Sequence, residues 1–311
     1  MSDQFHPAAH ERQGAAAGRR KRRLKYIAVL PSFVTLMNGA CGFIAITFAS
    51  RSPVLGWSLS FVRRSYVTSL AMAGYMIILA MVADMLDGRV ARLTRTTSSF
   101  GGQLDSLSDV ISFGIAPAFL MVKLLETHLD NIRAEHLSLA MLLGRAILFS
   151  AILYVMCAVV RLARFNVENE EDEAAHMNFS GLPSPPAAGI VVSLVIFHQQ
   201  FLGRIIEQTS DYYSSFQVIT LSVFPVVTLL SGLLMVSRIR YPHLANQLLR
   251  GKKTLSSLLA IFASGLLIVW NIQLAMVVGF CGFALFGVFR WIIVSLFRKR
   301  TPRLKAETPS R

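Results

Sequence analysis

Eight apolar stretches of about the length needed to cross a bilayer run through this chain, at 27–49, 67–86, 110–125, 138–160, 183–202, 216–236, 255–270 and 274–297. A hydrocarbon layer takes about 20 apolar residues per helix and satisfies no backbone N–H or C=O itself, so such stretches fold as transmembrane α-helices. Composition agrees: 54% of residues are hydrophobic and mean hydropathy is +0.54, above the roughly 45–50% apolar content of soluble domains. The expected fold is all-α, a polytopic transmembrane helical bundle of about eight spans. The third and seventh stretches are short, and only Asn271, Ile272 and Gln273 separate the last two, so one bent element is the alternative there.

Orientation follows from where the cations fall. Arg19, Arg20, Lys21, Arg22, Arg23 and Lys25 precede the first stretch; Arg89, Arg92 and Arg95, then Arg161 and Arg164, then Arg238, Arg240, Arg250, Lys252 and Lys253 occupy alternate connections. Arg298, Lys299, Arg300, Arg303 and Lys305 follow the last. With eight spans all of these share one side, which is expected to face the cytoplasm of a cell (inner) membrane together with both termini. Arg51, Arg63 and Arg64 run against the trend. The net charge of +14 sits beside membrane segments, which suits an anionic lipid bilayer and argues against a nucleic-acid partner. No cleavable signal peptide is evident, and the chain before about Arg19 reads as a flexible tail. Cys41, Cys157 and Cys281 are scattered without metal-ligand spacing and read as packing residues, and the histidines form no helical ligand pair.

Function is concentrated between Asp84 and Asp109. Asp84, Asp87, Gly88, Ala91 and Arg92 form D-x-x-D-G-x-x-A-R; after eight residues Gly101, Asp105 and Asp109 form G-x-x-x-D-x-x-x-D. At about 100° per residue the first set shares one broad helical face, and Asp105 and Asp109 lie one turn apart. The connection through Thr94, Arg95, Thr96, Thr97, Ser98 and Ser99 is short enough to bring the two helix ends side by side. Gly88 and Ala91 keep the first helix slim for a ligand or neighbour, and Gly101 and Gly102 permit tight backbone near the turn. Four carboxylates at a membrane surface cost several kcal/mol unless a cation compensates them. Hard oxygen donors suit Mg²⁺ or Mn²⁺, and such metals bridge phosphate oxygens, so phosphoryl or phosphatidyl transfer is the leading chemistry. A divalent-cation transporter is the non-enzyme alternative.

At these eight positions the chain resembles the CDP-alcohol phosphatidyltransferase family. The resemblance implies a two-ion metal site, Mg²⁺ or Mn²⁺, in a transmembrane bundle with a CDP-activated lipid donor and a small alcohol acceptor. It implies metal ligation by Asp84, Asp87 and Asp105, with Asp109 as general base and a further member of the metal group. Asn38, Gly88, Ala91, Arg92 and Gly101 are donor-binding candidates, Arg92 also facing the leaving group.

Leu30-Pro31-Ser32-Phe33-Val34-Thr35-Leu36-Met37-Asn38 with Cys41-Gly42, Arg161-Leu162-Ala163-Arg164-Phe165-Asn166 and Gly181-Leu182-Pro183-Ser184-Pro185 resemble the family's serine-accepting branch. Met235-Val236-Ser237 and Tyr241-Pro242 are weaker matches. That branch implies CDP-diacylglycerol and L-serine as substrates, phosphatidylserine and CMP as products, and a homodimer. Glycerol 3-phosphate, inositol phosphate and choline are the alternative acceptors. Arg161 and Arg164 are candidates for serine or phosphate binding through their planar forks. Asn38 has a structural alternative, an interhelical hydrogen bond, and Ser32, standing where many relatives carry Asn, is given no ligand role. The expected organisation is a basic flexible tail at 1–25, a catalytic transmembrane domain at 26–242, C-terminal transmembrane helices at 243–298 and a basic tail at 299–311.

Overall fold

The structure, a computed structural model, describes residues 32–50, 68–94, 99–135, 137–171, 181–202, 213–239, 241 and 268–298. All regular elements among them are helical. They are α1 (Ser32–Ala49), α2 (Ser69–Thr94), α3 (Ser99–Asp109), a π-helical turn (Val110–Ile115), α4 (Ala116–Glu135), α5 (Leu137–Glu171), α6 (Ser184–Phe197) with a second π turn (His198–Leu202), α7 (Tyr213–Val236) and α8 (Ile272–Arg298). Six helices are long and apolar enough to cross a membrane, the run from α3 to α4 counting as one. The protein is a multi-pass membrane protein.

Helix α6 explains the packing. Its 14 residues are apolar on every side, and Ala187, Ala188, Gly189, Ile190, Val191, Val192, Val195 and Ile196 are all buried. A helix without a polar face has to be surrounded, and α6 touches α2, α4, α7 and α8. At about 1.5 Å per residue it is too short to span alone as an α-helix; the π turn completes the expected fifth stretch to Leu202. Outside this centre, α5 lies along both α4 and α7. Gly232 of α7 lets that contact close, since a Cβ there would stand 3.1 Å from Tyr154 Cα. In the absence of a strong hydrophobic drive between helices in lipid, small residues that permit close backbone approach do this work.

Two expectations change. The third stretch, expected at 110–125, is longer: its helix begins at Ser99, on the polar side of the motif, and runs on to Glu135. Hydropathy missed the α3 segment because Ser99–Asp109 is rich in Ser, Gly and Asp. Consequently Gly101 and Gly102 lie inside a helix and not at a turn. The last two stretches are separated at Asn271, whose Oδ1 accepts the Leu274 N–H at 3.0 Å and so caps α8. Of the seventh stretch only its last three residues, in helical conformation, are described; 255–267 lie outside the described residues, as do both tails.

Candidate active site

Helices α2 and α3 carry the acidic motif, and their ends meet as the short connection requires. Carboxylate oxygens of Asp84, Asp105 and Asp109 all lie within 4.8 Å of one another. Asp87, one turn beyond Asp84, stands beside the group and acts electrostatically on both Asp84 and Asp105. Asp87 and Asp109 are buried, Asp84 and Asp105 partly so. Mutual repulsion in so apolar a setting needs cationic compensation.

Helix α1 supplies what the motif alone does not. Asn38, fully buried, donates from Nδ2 to Asp109 Oδ1 at 2.9 Å, and Thr35, one turn earlier, donates to Asp87 Oδ2. Asn38 therefore makes the interhelical hydrogen bond that was the structural alternative to donor recognition. The same residue is held from behind, because Ser112 Oγ in the π turn donates to the Asn38 carbonyl at 2.8 Å. This approach is possible only because Gly42 has no side chain; a Cβ there would lie 2.7 Å from Ser112 Cα. The π turn starts directly after Asp109 and its Phe113 carbonyl accepts the hydroxyl of the buried Tyr154 at 2.9 Å. A π turn in such a position sets where the preceding side chain points.

The fourth wall is α5. Arg161 lies within electrostatic reach of Asp109 and Asp84, and its Nη1 donates to Ser184 Oγ at 2.7 Å. Asn166, five residues on, accepts at 2.9 Å from Ser106 Oγ, the neighbour of Asp105. Arg164 is exposed, whereas Arg161 is partly buried. The two arginines of the R-L-A-R-F-N stretch thus occupy different surroundings.

Gly88 faces open space: a Cβ there would meet no atom within 4 Å. Packing among the described residues therefore does not require that glycine. Ala91 and Arg92 fall in the last turn of α2, and their side chains lie outside the described residues, as do Arg95, Pro31, Pro242 and the side chains of the acidic run from Glu168 to Glu173. Thr35, Ser106, Asn166 and Ser184 were not singled out as site residues. Thr35 carried a usable signal, being polar at i−3 from Asn38 in an apolar helix.

The donor set fits a divalent cation. Its oxygens are hard and clustered, and among the described residues Asp87 Oδ1 is buried without a hydrogen-bond partner, an arrangement that costs about 1–3 kcal/mol unless a ligand meets it.

Comparison with known proteins gives the same direction. The family model for CDP-alcohol phosphatidyltransferase matches residues 28–228. A Helicobacter pylori protein named CDP-diacylglycerol–serine O-phosphatidyltransferase is 32% identical over 248 residues, covering 79% of this chain and 90% of the relative. A Methanocaldococcus jannaschii protein of the same name is 30% identical over 225 residues, covering 72% and 79%. One from Saccharomyces cerevisiae is 31% identical over 173 residues, covering 53% and 52%. With the acidic motif assembled at one end of a helical bundle and the match extending over most of its length, this chain belongs to the CDP-alcohol phosphatidyltransferase family.

Proposed function

We propose that the protein transfers a phosphatidyl group from CDP-diacylglycerol to L-serine, giving phosphatidylserine and CMP. The observation that carries this is the three-carboxylate group of Asp84, Asp105 and Asp109 facing Arg161 at the same end of the bundle, in a chain whose relatives bear that activity in their names.

Asp84, Asp87 and Asp105 would hold the divalent metal, Mg²⁺ or Mn²⁺, as a two-ion site, with Asp109 a further member of the carboxylate group. Bound there, the metal stabilises negative charge on the phosphate oxygens. The chain's own residues do the rest. Asn38 and Thr35 orient Asp109 and Asp87. The acyl chains stay in the bilayer, and Gly88, Ala91, Arg92 and Gly101 admit the cytidine diphosphate. The serine hydroxyl oxygen bonds to the phosphorus that carries diacylglycerol, the bond from that phosphorus to the CMP oxygen breaks, and the hydroxyl proton passes to Asp109. Arg161 takes the acceptor carboxylate through its fork; Arg164, exposed, suits headgroups better than the reacting centre.

Catalysis resides in 26–242, within which the family match falls, and the helices of 243–298 flank it. The active site and both termini face the cytoplasm of the cell (inner) membrane, with the enzyme assembling as a homodimer in an anionic bilayer.

The test is purified protein in nanodiscs with CDP-diacylglycerol, each divalent metal, and serine, glycerol 3-phosphate, inositol phosphate or choline. Metal-dependent CMP release with phosphatidylserine as the lipid product, read by mass spectrometry, is expected. Metal uptake without CMP release would point to the transporter instead.

A further inference from the structure

The Gly181-Leu182-Pro183 strap, which leads into Ser184 at the start of α6, has no place in the phosphoryl chemistry, yet its backbone is pinned beside the site. Gly181 N–H donates to Ile239 O and Leu182 N–H to Leu234 O, both at 2.9 Å, which ties the strap to the end of α7. Gly181 has φ +96°, a left-handed conformation that favours glycine, and a Cβ there would run into the Met235 carbonyl. Pro183 then precedes α6, with prolines in its first turn fixing the helix start. The product of these constraints is one fully buried hydroxyl, Ser184 Oγ, at a set point against α5.

That hydroxyl accepts from Arg161 Nη1 at 2.7 Å. A guanidinium bonds a carboxylate best along one edge, through two parallel N–H groups. Occupying Nη1 leaves the opposite edge, Nε with Nη2, complete, and among the described residues Nε is buried with no hydrogen-bond partner.

We propose that Ser184 is a positioning residue for acceptor recognition: it holds Arg161 so that the Nε and Nη2 edge meets the carboxylate of the amino-acid acceptor. This rests on the serine-acceptor reading given above. It also gives the strap and the Met235-Val236-Ser237 segment a shared role, since the clamp at Met235 decides where Ser184 stands.

The experiment compares wild type, Ser184→Ala, Ser184→Cys and Ser184→Thr in nanodiscs, with melting temperature measured alongside. Acceptors are L-serine and serinol, which keeps the hydroxyl and amine but lacks the carboxylate. Ser184→Ala is expected to raise the KM for serine about tenfold, the scale of one hydrogen bond to a charged group. The KM for CDP-diacylglycerol stays unchanged, the preference for serine over serinol falls by the same factor, and Ser184→Thr restores it. Ser184→Cys, which keeps the volume with a weaker hydrogen-bonding group, falls between and serves if the alanine variant does not assemble. An unchanged serine-to-serinol ratio in alanine and cysteine variants would overturn the proposal, as would a rise in the CDP-diacylglycerol KM alone, which assigns Arg161 to the donor phosphates. A wild type that uses another acceptor and ignores serine defeats the underlying reading instead, and the proposal with it.

Discussion

Substituting Gly42 by alanine isolates the contribution of α1, because Gly42 touches no reacting group and yet governs how near Asn38 stands to Asp109. The new Cβ would lie 2.5 Å from Ser112 Oγ and 2.7 Å from Ser112 Cα. Two carbons prefer about 3.5–4.0 Å, so α1 and the π turn must separate by about 1 Å; rotating the Ser112 side chain relieves only the first contact. Such overpacking costs about 1–3 kcal/mol. The same shift stretches the 2.9 Å Asn38–Asp109 bond to about 3.9 Å, beyond hydrogen-bonding range. Misplacing a catalytic group by about 1 Å costs on the order of 10²-fold in rate.

Gly42→Ala should therefore lower the melting temperature and reduce kcat for CMP release by up to about 10²-fold. Gly39→Ala should be milder, since its Cβ would meet Ser108 Oγ at 3.2 Å and that side chain can turn away. Gly279→Ala in α8 meets nothing within 4 Å and should be silent. The assay is steady-state CMP release in nanodiscs with thermal unfolding of each purified variant. Wild-type turnover in Gly42→Ala, or equal damage from Gly279→Ala, refutes the claim that this crossing positions the site.

Asp84→Asn, Asp87→Asn and Asp105→Asn keep side-chain size and remove anionic ligand capacity, so each should raise the metal concentration needed for half-maximal turnover and lower the maximum; unaltered metal dependence in all three would sink the ligand assignment. Asp109→Asn should reduce single-turnover phosphatidylserine formation by about 10²-fold or more while CDP-diacylglycerol binding with metal present persists, whereas parallel loss of metal and donor binding would make Asp109 a ligand first. Cysteine labelling of intact cells should leave Gly101→Cys unreactive to an impermeant reagent and label a reporter beside Arg133; the reverse pattern in an active protein would invert the orientation.

The bundle was legible because lipid permits so little else. Runs of about 20 apolar residues located α1, α7 and α8 closely and the starts of α2 and α5, which run on to Thr94 and Glu171 past the expected ends at 86 and 160. What hydropathy did not reveal was polar helix: α3 is amphipathic and carries the second half of the motif, so its start at Ser99 lay outside any apolar window. Nor did it reveal the π turns; in the first, the Phe113 carbonyl meets the hydroxyl of Tyr154, a partner distant in sequence.

The site shows the same division between local pattern and tertiary contact. Helical periodicity sets Asp84 and Asp87 about 60° apart on α2 and Asp105 and Asp109 about 40° apart on α3, which is enough to aim all four at one end of the bundle. It does not say what lies on either side. That 60° separates two neighbours: Asp84 turns toward α3 and joins Asp105 and Asp109, while Asp87 turns toward α1 and accepts from Thr35. The polar spacing of Thr35 and Asn38 on α1 matches this split, one donor to each carboxylate helix. Apolar α1 thus carries one hydroxyl and one side-chain amide whose donors each meet a buried carboxylate, which offsets part of the cost of burying them. A motif confined to α2 and α3 is therefore only half of the site's specification; the other half is the pair of polar residues that a third helix brings across at Gly42.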